Sequence, residues 1–159
     1  MIRPLLLTLA ILVAGTASAS PPPLSFESDG MTHILNSEAG KPFVLIIWSL
    51  DCSYCQASIA NLAAAQQQDD GLEVVTLSTD ALSQPGNAEA IRARLAQLGI
   101  RGGSWAYGDA PAAQLRYVID PKWRGETPRS YWYNRHGERI AVHSGLISTA
   151  TAPAAEALP

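Results

Sequence analysis

The chain has 159 residues, with 11 basic and 14 acidic side chains and a formal net charge of -3. This length suits one domain of ordinary size, with one hydrophobic core and no room for two. The weak negative charge gives no electrostatic footprint for nucleic acid or for an anionic membrane. The two cysteines are too few for a disulfide scaffold or a four-cysteine zinc site.

The first 19 residues are predicted to be a cleaved secretory signal peptide. Arg3 is followed by an uncharged, largely apolar run over residues 5–15, and Ala17 and Ala19 are the small residues that a signal peptidase reads. The run is too short to cross about 30 Å of hydrocarbon, which argues against a membrane anchor. We therefore expect cleavage after Ala19 and export to the periplasm, where disulfides can form.

The first half of the remaining chain predicts a βαβ unit. Residues 20–38 are predicted to be an N-terminal lead-in, in which an ambiguous stretch at 33–36 could form a short helix. The six apolar residues from Phe43 to Trp48 are typical of a strand buried on both faces of a parallel sheet. An alanine- and glutamine-rich helix ending near residue 70 and a strand over residues 72–78 complete the unit.

The second half predicts two helices and an antiparallel hairpin. The predicted elements are a helix capped by Asn87 and stopped by Gly99, a loop over 100–111 with room for one short strand, a helix over 112–118, and strands over 129–133 and 138–143 joined by a turn. The fold class is therefore α/β, with a central mixed sheet flanked by helices, one half parallel and the other an antiparallel hairpin. The predicted domain covers residues 39–148, and residues 149–159 are predicted to be a flexible tail.

Cys52 and Cys55 lie three residues apart, at the joint between the buried strand and the helix that follows it. A helix N-terminus offers free backbone N–H groups and the positive end of the helix dipole, and both stabilise a thiolate. The thiolate of Cys52 can attack a disulfide of another protein, and Cys55, one helical turn later, can resolve the mixed disulfide. The motif therefore indicates thiol-disulfide chemistry, with Cys52 exposed and Cys55 more buried.

Two interpretations of the cysteine pair without redox function are weaker. A purely structural disulfide would close so short a loop that it would constrain little of the unfolded chain. Half of a zinc site would need histidines, and none of the three has the paired spacing of the common zinc signatures: His33, His136 and His143.

Thr127-Pro128 is the second feature that bears on a functional site. Proline cannot donate to a sheet ladder, so it belongs at the start of a strand, here the strand predicted to begin at Arg129. The preceding peptide bond could be an ordinary trans bond or a cis bond, which would be a specific structural device. The residues alone leave both forms open.

On these residues the sequence resembles the thioredoxin superfamily, and in particular its exported TlpA/ResA-like disulfide reductases, over about residues 40–147. The similarity rests on the strand that ends at Trp48, the Cys52-Ser53-Tyr54-Cys55 motif, Thr127-Pro128, the strand–turn–strand segment after it and Gly145. It implies a thioredoxin-like fold in which Pro128 is cis and faces the cysteine pair, and in which the backbone of Thr127 pairs with a bound polypeptide.

The resemblance also implies the chemistry and the partners. Cys52 and Cys55 would be the catalytic residues, and no cofactor or metal would be needed beyond their redox-active disulfide. The residues expected to support the pair are Trp48, Ser53 and Tyr54. The implied partners are substrate proteins with cysteines and a membrane thiol donor of electrons, and the protein is expected to be a monomer that binds no nucleic acid.

Some residues depart from the family pattern. Ile46 stands six places before the first cysteine, where family members often carry an acidic or amide residue. The proton acceptor for Cys55 is therefore unassigned, and its candidates are Asp51, Glu126 and water. Asp51 also places a negative charge beside Cys52, which opposes its thiolate form. The Ser-Tyr dipeptide differs from the Gly-Pro of cytosolic thioredoxins, so the direction of electron flow stays open.

The leading hypothesis is an exported thiol:disulfide oxidoreductase that reduces disulfides of partner proteins. The alternatives are a copper(I)-binding module, a disulfide oxidase or isomerase, and a non-catalytic interaction domain, although copper carriers on this fold typically use a CxxxC spacing. The segment 123–126 is a candidate partner contact or a packed tryptophan with two solvated charges. A second candidate is an apolar rim, with at least half of its last three members expected in the core: Trp105, Tyr107, Tyr131, Trp132 and Tyr133.

Overall fold

One mixed sheet of six strands, with helices packed on both faces, organises the chain in the computed structural model, which describes residues 21–148. Its elements in chain order are β1 (Leu24–Phe26), α1 (Gly30–Ser37), β2 (Phe43–Trp48), α2 (Ser53–Gln68), β3 (Glu73–Ser78), α3 (Asn87–Leu98), β4 (Ser104–Tyr107), α4 (Ala112–Ile119), β5 (Arg129–Tyr133) and β6 (Arg139–Ser144). The predicted signal peptide over residues 1–19 and the predicted tail over 149–159 lie outside the described residues.

The strands lie in the order β1-β4-β3-β2-β5-β6. The first four in this order are parallel, and β5 pairs antiparallel with both β2 and β6. Trp48 at the end of β2 is in register with Ser78 at the end of β3, and Arg129 at the start of β5 lies opposite Ile47. The ends of β2, β3 and β4 and the start of β5 therefore meet at one edge of the sheet, called the carboxyl edge below. In α/β sheets, ligand sites usually lie at such an edge.

The central strand β2 explains the continuous apolar run in the sequence. All six of its residues are at most 1% exposed, because the strand is covered on both faces. Phe43, Leu45 and Ile47 pack on the face that carries α1 and α4. Val44, Ile46 and Trp48 pack on the other face, against α2 and α3. The cysteine motif thus follows a strand that is fixed from both sides.

The predicted fold class is confirmed. The sheet contains the parallel unit β2-α2-β3 and the antiparallel pair β5-β6. The predicted bounds of β2 and β5 match the structure, and those of α2, β3, α4 and β6 differ by one or two residues.

The sheet extends further toward the N-terminus than the sequence predicted. β1 pairs in parallel with β4, so a segment predicted as lead-in is an edge strand of the sheet. Phe26 and Ile34 are fully buried, which places α1 in the same core. Residues 24–37 therefore belong to the domain, which begins before the predicted boundary at residue 39. β4 is the one short strand for which the predicted loop over 100–111 had room, and it is an internal strand between β1 and β3.

Two smaller predictions are wrong. Asn87 does not cap α3, because Gly86 occupies the cap position in a left-handed conformation (φ 87°) and the Asn87 amide donates to the carbonyl of Ala81 at 2.9 Å. The five aromatic residues do not form an exposed rim, because β4 and β5 are internal strands and each of the five side chains is at most 8% exposed. In the described part of the chain, no helix has the length and apolar character needed to cross a membrane.

Candidate active site

The cysteine pair forms a disulfide at the start of α2, directly after the carboxyl edge. The two Cα atoms are 5.2 Å apart, and the bond links residues one helical turn from each other. Cys52 is the N-cap residue of α2, and its Sγ accepts a hydrogen bond from the Cys55 N–H at 3.1 Å. Cys52 is half-buried, whereas Cys55 is completely buried. Only Cys52 is therefore placed to meet a partner protein.

The loop before Cys52 is held from two sides at Leu50. The Leu50 N–H donates to the Asp80 carboxylate at 2.9 Å, and the Leu50 carbonyl accepts from the Gln56 amide at 2.9 Å. Asp80 itself accepts from the Ser78 hydroxyl at 2.6 Å. The loop is thus tied both to the end of β3 and to the first turn of α2. These contacts fix the peptide two residues before Cys52.

Trp48 is the last residue of β2, four residues before Cys52. Its side chain is completely buried on the face that carries α2, as is Cys55. Its carbonyl accepts from the backbone N–H of Thr79 at 2.9 Å, which joins the end of β2 to the residue after β3. The predicted supporting role of Trp48 is consistent with this position and stays a prediction.

Thr127 and Pro128 lie at the start of β5, at the same edge as the disulfide. The peptide bond between them is cis. Because Arg129 pairs with Ile47, Pro128 comes to the level at which β2 ends. Pro128 is buried and Thr127 is half-buried, and the Pro128 carbonyl accepts from the Gly145 N–H at 2.9 Å. The sheet register therefore brings the predicted substrate-binding pair to the same end of β2 as the cysteines.

Glu126 and Arg129 flank this pair and contact each other. The Glu126 carboxylate lies 3.3 Å from the Arg129 guanidinium and accepts from the Ser144 hydroxyl at 3.0 Å. Partial burial raises the pKa of Glu126, but its own backbone N–H, Ser144 and Arg129 outweigh that effect and leave the pKa below its ordinary value. Glu126 is thus a charged member of a local network. Its role as proton acceptor, like that of the exposed Asp51, stays a prediction.

A second acidic group, Asp120, is nearly buried behind β5. Its carboxylate accepts from the Lys122 N–H at 3.0 Å and from the Tyr131 hydroxyl at 3.3 Å, and it faces Arg129 at 3.4 Å and Arg139 at 3.5 Å. Burial raises the pKa of Asp120, but the Lys122 N–H, Arg139, Tyr131 and Arg129 together outweigh it and lower the pKa. Since Arg129 contacts both acids, the network joins the proline loop to the interior.

The remaining candidates are spread over the molecule. Ser53 and Tyr54 are exposed beside Cys52, with Tyr54 67% exposed. Trp123 is buried, and its indole N–H donates to the Glu126 carbonyl at 2.8 Å, so it packs under the loop. His33 pairs with Asp29 near α1, far along the chain from the cysteines. Within residues 21–148, no three potential metal ligands converge.

Sequence analysis missed Asp80 and Gln56. A signal for Asp80 exists, because it is an acid two residues beyond a predicted parallel strand, and such positions meet at the carboxyl edge. Gln56 lies one residue after the motif, in the first turn of a predicted helix, and its contact with Leu50 has no sequence signature.

A mixed sheet with a CxxC disulfide at the start of the helix after its central strand is the arrangement of the thioredoxin fold. Similar solved structures include a secreted Mycobacterium tuberculosis disulfide oxidoreductase homologous to E. coli DsbE, with 18% identity over 71% of this chain and 75% of that chain and a TM-score of 0.52. Another is a thioredoxin-family thiol:disulfide interchange protein from Chlorobium tepidum TLS, with 17% identity over 83% and 92% of the two chains and a TM-score of 0.55.

A third similar structure is a thiol-disulfide isomerase from Corynebacterium glutamicum, with 19% identity over 72% of this chain and 78% of that chain and a TM-score of 0.52. No protein-family model matches the chain, and no curated protein matches it. The structural likenesses show the thioredoxin fold, which confirms the fold that the sequence resemblance implied.

Proposed function

We propose that this protein is an exported thiol:disulfide oxidoreductase that reduces disulfides of partner proteins. It acts in the periplasm as a monomer and receives its electrons from a membrane thiol donor. The observation that carries the proposal is the disulfide at the N-terminus of α2, in which Cys52 is half-buried and Cys55 is fully buried. The similar solved structures, named as disulfide oxidoreductase, interchange protein and isomerase, support the same chemistry.

The reaction follows from the positions of the two sulfurs. In the reduced protein, the Cys52 thiolate attacks one sulfur of a substrate disulfide. The substrate S–S bond breaks, a mixed disulfide with Cys52 forms, and one substrate thiolate leaves. Cys55 then attacks Sγ of Cys52, which closes the protein disulfide and releases the second substrate thiolate. The substrate gains two electrons and takes up two protons, and the thiol donor reduces the protein for the next cycle.

Two contacts of the Cys52 sulfur support its proposed role in the first step. The Cys55 N–H points at Cys52 Sγ at 3.1 Å, and the positive end of α2 lies at the same sulfur, so both favour a thiolate there. Cys55 is completely buried, so the sulfur within its reach is Sγ of Cys52 and not a sulfur of the substrate disulfide. This order of attack makes Cys55 the resolving residue.

The surface around Cys52 is suited to a polypeptide. The backbone of Thr127, at the start of β5, would pair with an extended substrate segment, a mode in which main-chain hydrogen bonds give affinity. Ser53 and Tyr54 directly follow Cys52 in the chain, are exposed and would contact the same segment. Pro128 would keep this backbone close to the cysteine pair.

Trapping tests the proposal directly. Cys55→Ser should accumulate a mixed disulfide with a disulfide-containing protein, because the resolving thiol is gone and Cys52 remains. Cys52→Ser is the matched control and should trap nothing, since its remaining thiol is buried. Failure of Cys55→Ser to form more mixed disulfide than this control would refute the mechanism.

The reduction potential of the pair tests the direction of electron flow. A value near about -270 mV, the thioredoxin end of the scale, fits an electron donor. A value near about -120 mV would instead assign the protein to disulfide donation. A reduced protein that retains copper(I) against a competing thiol buffer would favour the copper-binding alternative.

A further inference from the structure

A pocket of about 200 Å³ opens at the carboxyl edge, on the face of the sheet that carries α4. Its polar, charged and aromatic lining side chains are those of Thr79, Tyr107, Arg116 and Trp123, and Gly125 also lines it. None of its lining residues is acidic. It therefore combines aromatic walls with one positive charge.

The pocket is close to the groups that would hold a substrate. Thr79 donates its N–H to the carbonyl of Trp48 at the end of β2, and Gly125 lies two residues before Thr127. Tyr107 ends β4, two strands from β2 and so about 10 Å away. An extended chain advances about 3.3 Å per residue, so about three residues of a substrate segment span the separation between the ends of β2 and β4.

Arg116 contributes a positive charge to this pocket. The Nη1 of Arg116 donates to the Arg124 carbonyl at 3.4 Å. A Cβ added at Gly125 would lie 3.3 Å from this Nη1, so the guanidinium packs against the backbone of Gly125. Arg116 takes part in none of the ion pairs found within residues 21–148. The guanidinium therefore has N–H donors available for an incoming anion.

Tyr107 adds a neutral donor. Burial raises its pKa to about 12, and the nearby charge of Arg116 acts in the opposite direction. The phenol therefore stays protonated at physiological pH, and its O–H can donate. A planar guanidinium next to a neutral O–H donor is a set that complements a carboxylate.

We infer that this pocket binds an aspartate or glutamate side chain of the substrate polypeptide, two to four residues from the cysteine that Cys52 attacks. The inference rests on the proposed function and adds to it a preferred substrate class, disulfides with an acidic residue near the cysteine. Arg116 is then the specificity-determining residue. The protein carries a net negative charge, so this preference comes from the local arrangement and not from overall attraction.

The test uses symmetric disulfides of two identical peptides, so that either sulfur presents the same neighbours. Three peptides differ only in the residue placed three positions on each side of the cysteine: Glu, Gln or Lys. The second-order rate constant for reduction by pre-reduced protein is measured for each peptide. We expect the Glu peptide to react about threefold to fivefold faster than the Gln peptide, the size of a partly exposed ion pair. Salt at about 0.5 M should bring that ratio toward one.

Variants assign the preference to the pocket. Arg116→Gln should bring the Glu-to-Gln ratio to about one, and Arg116→Glu should make the Lys peptide the faster of the charged pair. Arg135→Gln is the matched control, because Arg135 is exposed in the β5–β6 turn at the other end of the sheet and should leave the ratio unchanged. A ratio near one in the unmodified protein, or an unchanged ratio in Arg116→Gln, overturns the inference.

The outcomes separate the inference from the proposed function. If the Gln peptide is reduced in a reaction that Cys52→Ser abolishes, but no charge preference is found, the inference fails and the proposed function stands. If no peptide disulfide is reduced at all, both are wrong.

Discussion

Replacing Asp80 tests whether the end of β3 holds the loop that carries Cys52. The Asp80 carboxylate accepts from the Leu50 N–H at 2.9 Å and from the Ser78 hydroxyl at 2.6 Å, and both contacts are partly buried. A hydrogen bond to a charged group contributes about 1.5–3 kcal/mol to stability. In the variant, water can bond to the freed Leu50 N–H when the loop opens, which restores part of this energy. We expect Asp80→Ala to lower the free energy of unfolding by about 2 kcal/mol, and the Tm by about 8 °C for a domain of this size.

Two companion variants show which property of Asp80 matters. Asp80→Asn keeps an acceptor oxygen but loses the charge, so we expect about half of the loss in unfolding free energy. Asp70→Ala removes an acid that is 94% exposed and whose Oδ1 is 3.5 Å from Arg101, and it should leave stability unchanged. Chemical denaturation of the three variants beside the unmodified protein gives the comparison.

The reactivity of Cys52 provides a measurement that stability alone would not change. In a Cys55→Ser background, the rate of alkylation of Cys52 reports its thiolate fraction. In Asp80→Ala, Cys52 should be alkylated about threefold more slowly at pH 7 than in Asp80→Asn. The freed loop lets the Cys52 sulfur move away from the positive end of α2, which lowers its thiolate fraction. Equal alkylation rates in the two variants, with Asp80→Ala as stable as Asp70→Ala, would refute the idea that Asp80 positions the loop.

Two further variants test the interior next to the proline loop. Asp120 has a lowered pKa, so its contribution is present above the ordinary value of 3.8 and is lost as the pH falls through the lower folded value. Asp120→Asn should therefore cost about 2 kcal/mol at pH 7 and progressively less below about pH 4, measured by denaturation across pH. Ser130→Ala removes a buried hydroxyl with no hydrogen-bond partner among the described residues, so it should raise the free energy of unfolding by up to about 1 kcal/mol. A loss of that size would show that the hydroxyl is partnered.

The sequence predicted the part of the fold that is encoded locally. β2 is a continuous apolar run, and the cysteine spacing marks the start of α2, so the central unit needed no distant information. β1 has three residues of which only Phe26 is buried, and its place in the sheet depends on pairing with β4, about eighty residues away. Such pairing leaves no periodic pattern in a strand so short.

The same division holds for the candidate site. The cysteines were predicted because their residue type and spacing carry the chemistry, whereas the role predicted for Thr127-Pro128 came from the resemblance to the thioredoxin superfamily. The contacts of Leu50 with Asp80 and Gln56 form only when β2 and β3 are paired and α2 is in place, so the sequence indicates that Asp80 lies at the carboxyl edge but not which groups it and Gln56 contact. The aromatic residues of β5 were partly misassigned because both faces of this strand are covered, and alternation then no longer separates inside from outside.

Backbone contacts at the carboxyl edge fix the geometry of the site before a substrate arrives. The Trp48 carbonyl is bonded to Thr79, and the Pro128 carbonyl to the N–H of Gly145, so the cysteine loop and the proline loop are each joined to a neighbouring segment. Under the proposed function, holding the Cys52 sulfur and the backbone proposed to bind the substrate in place reduces the entropy lost on reaching the geometry for attack. Under the proposed function, backbone groups at this edge therefore set the reactivity of Cys52. Substrate choice is then the proposed role of side chains at the same edge, exposed Tyr54 next to the cysteines and Arg116 in the pocket.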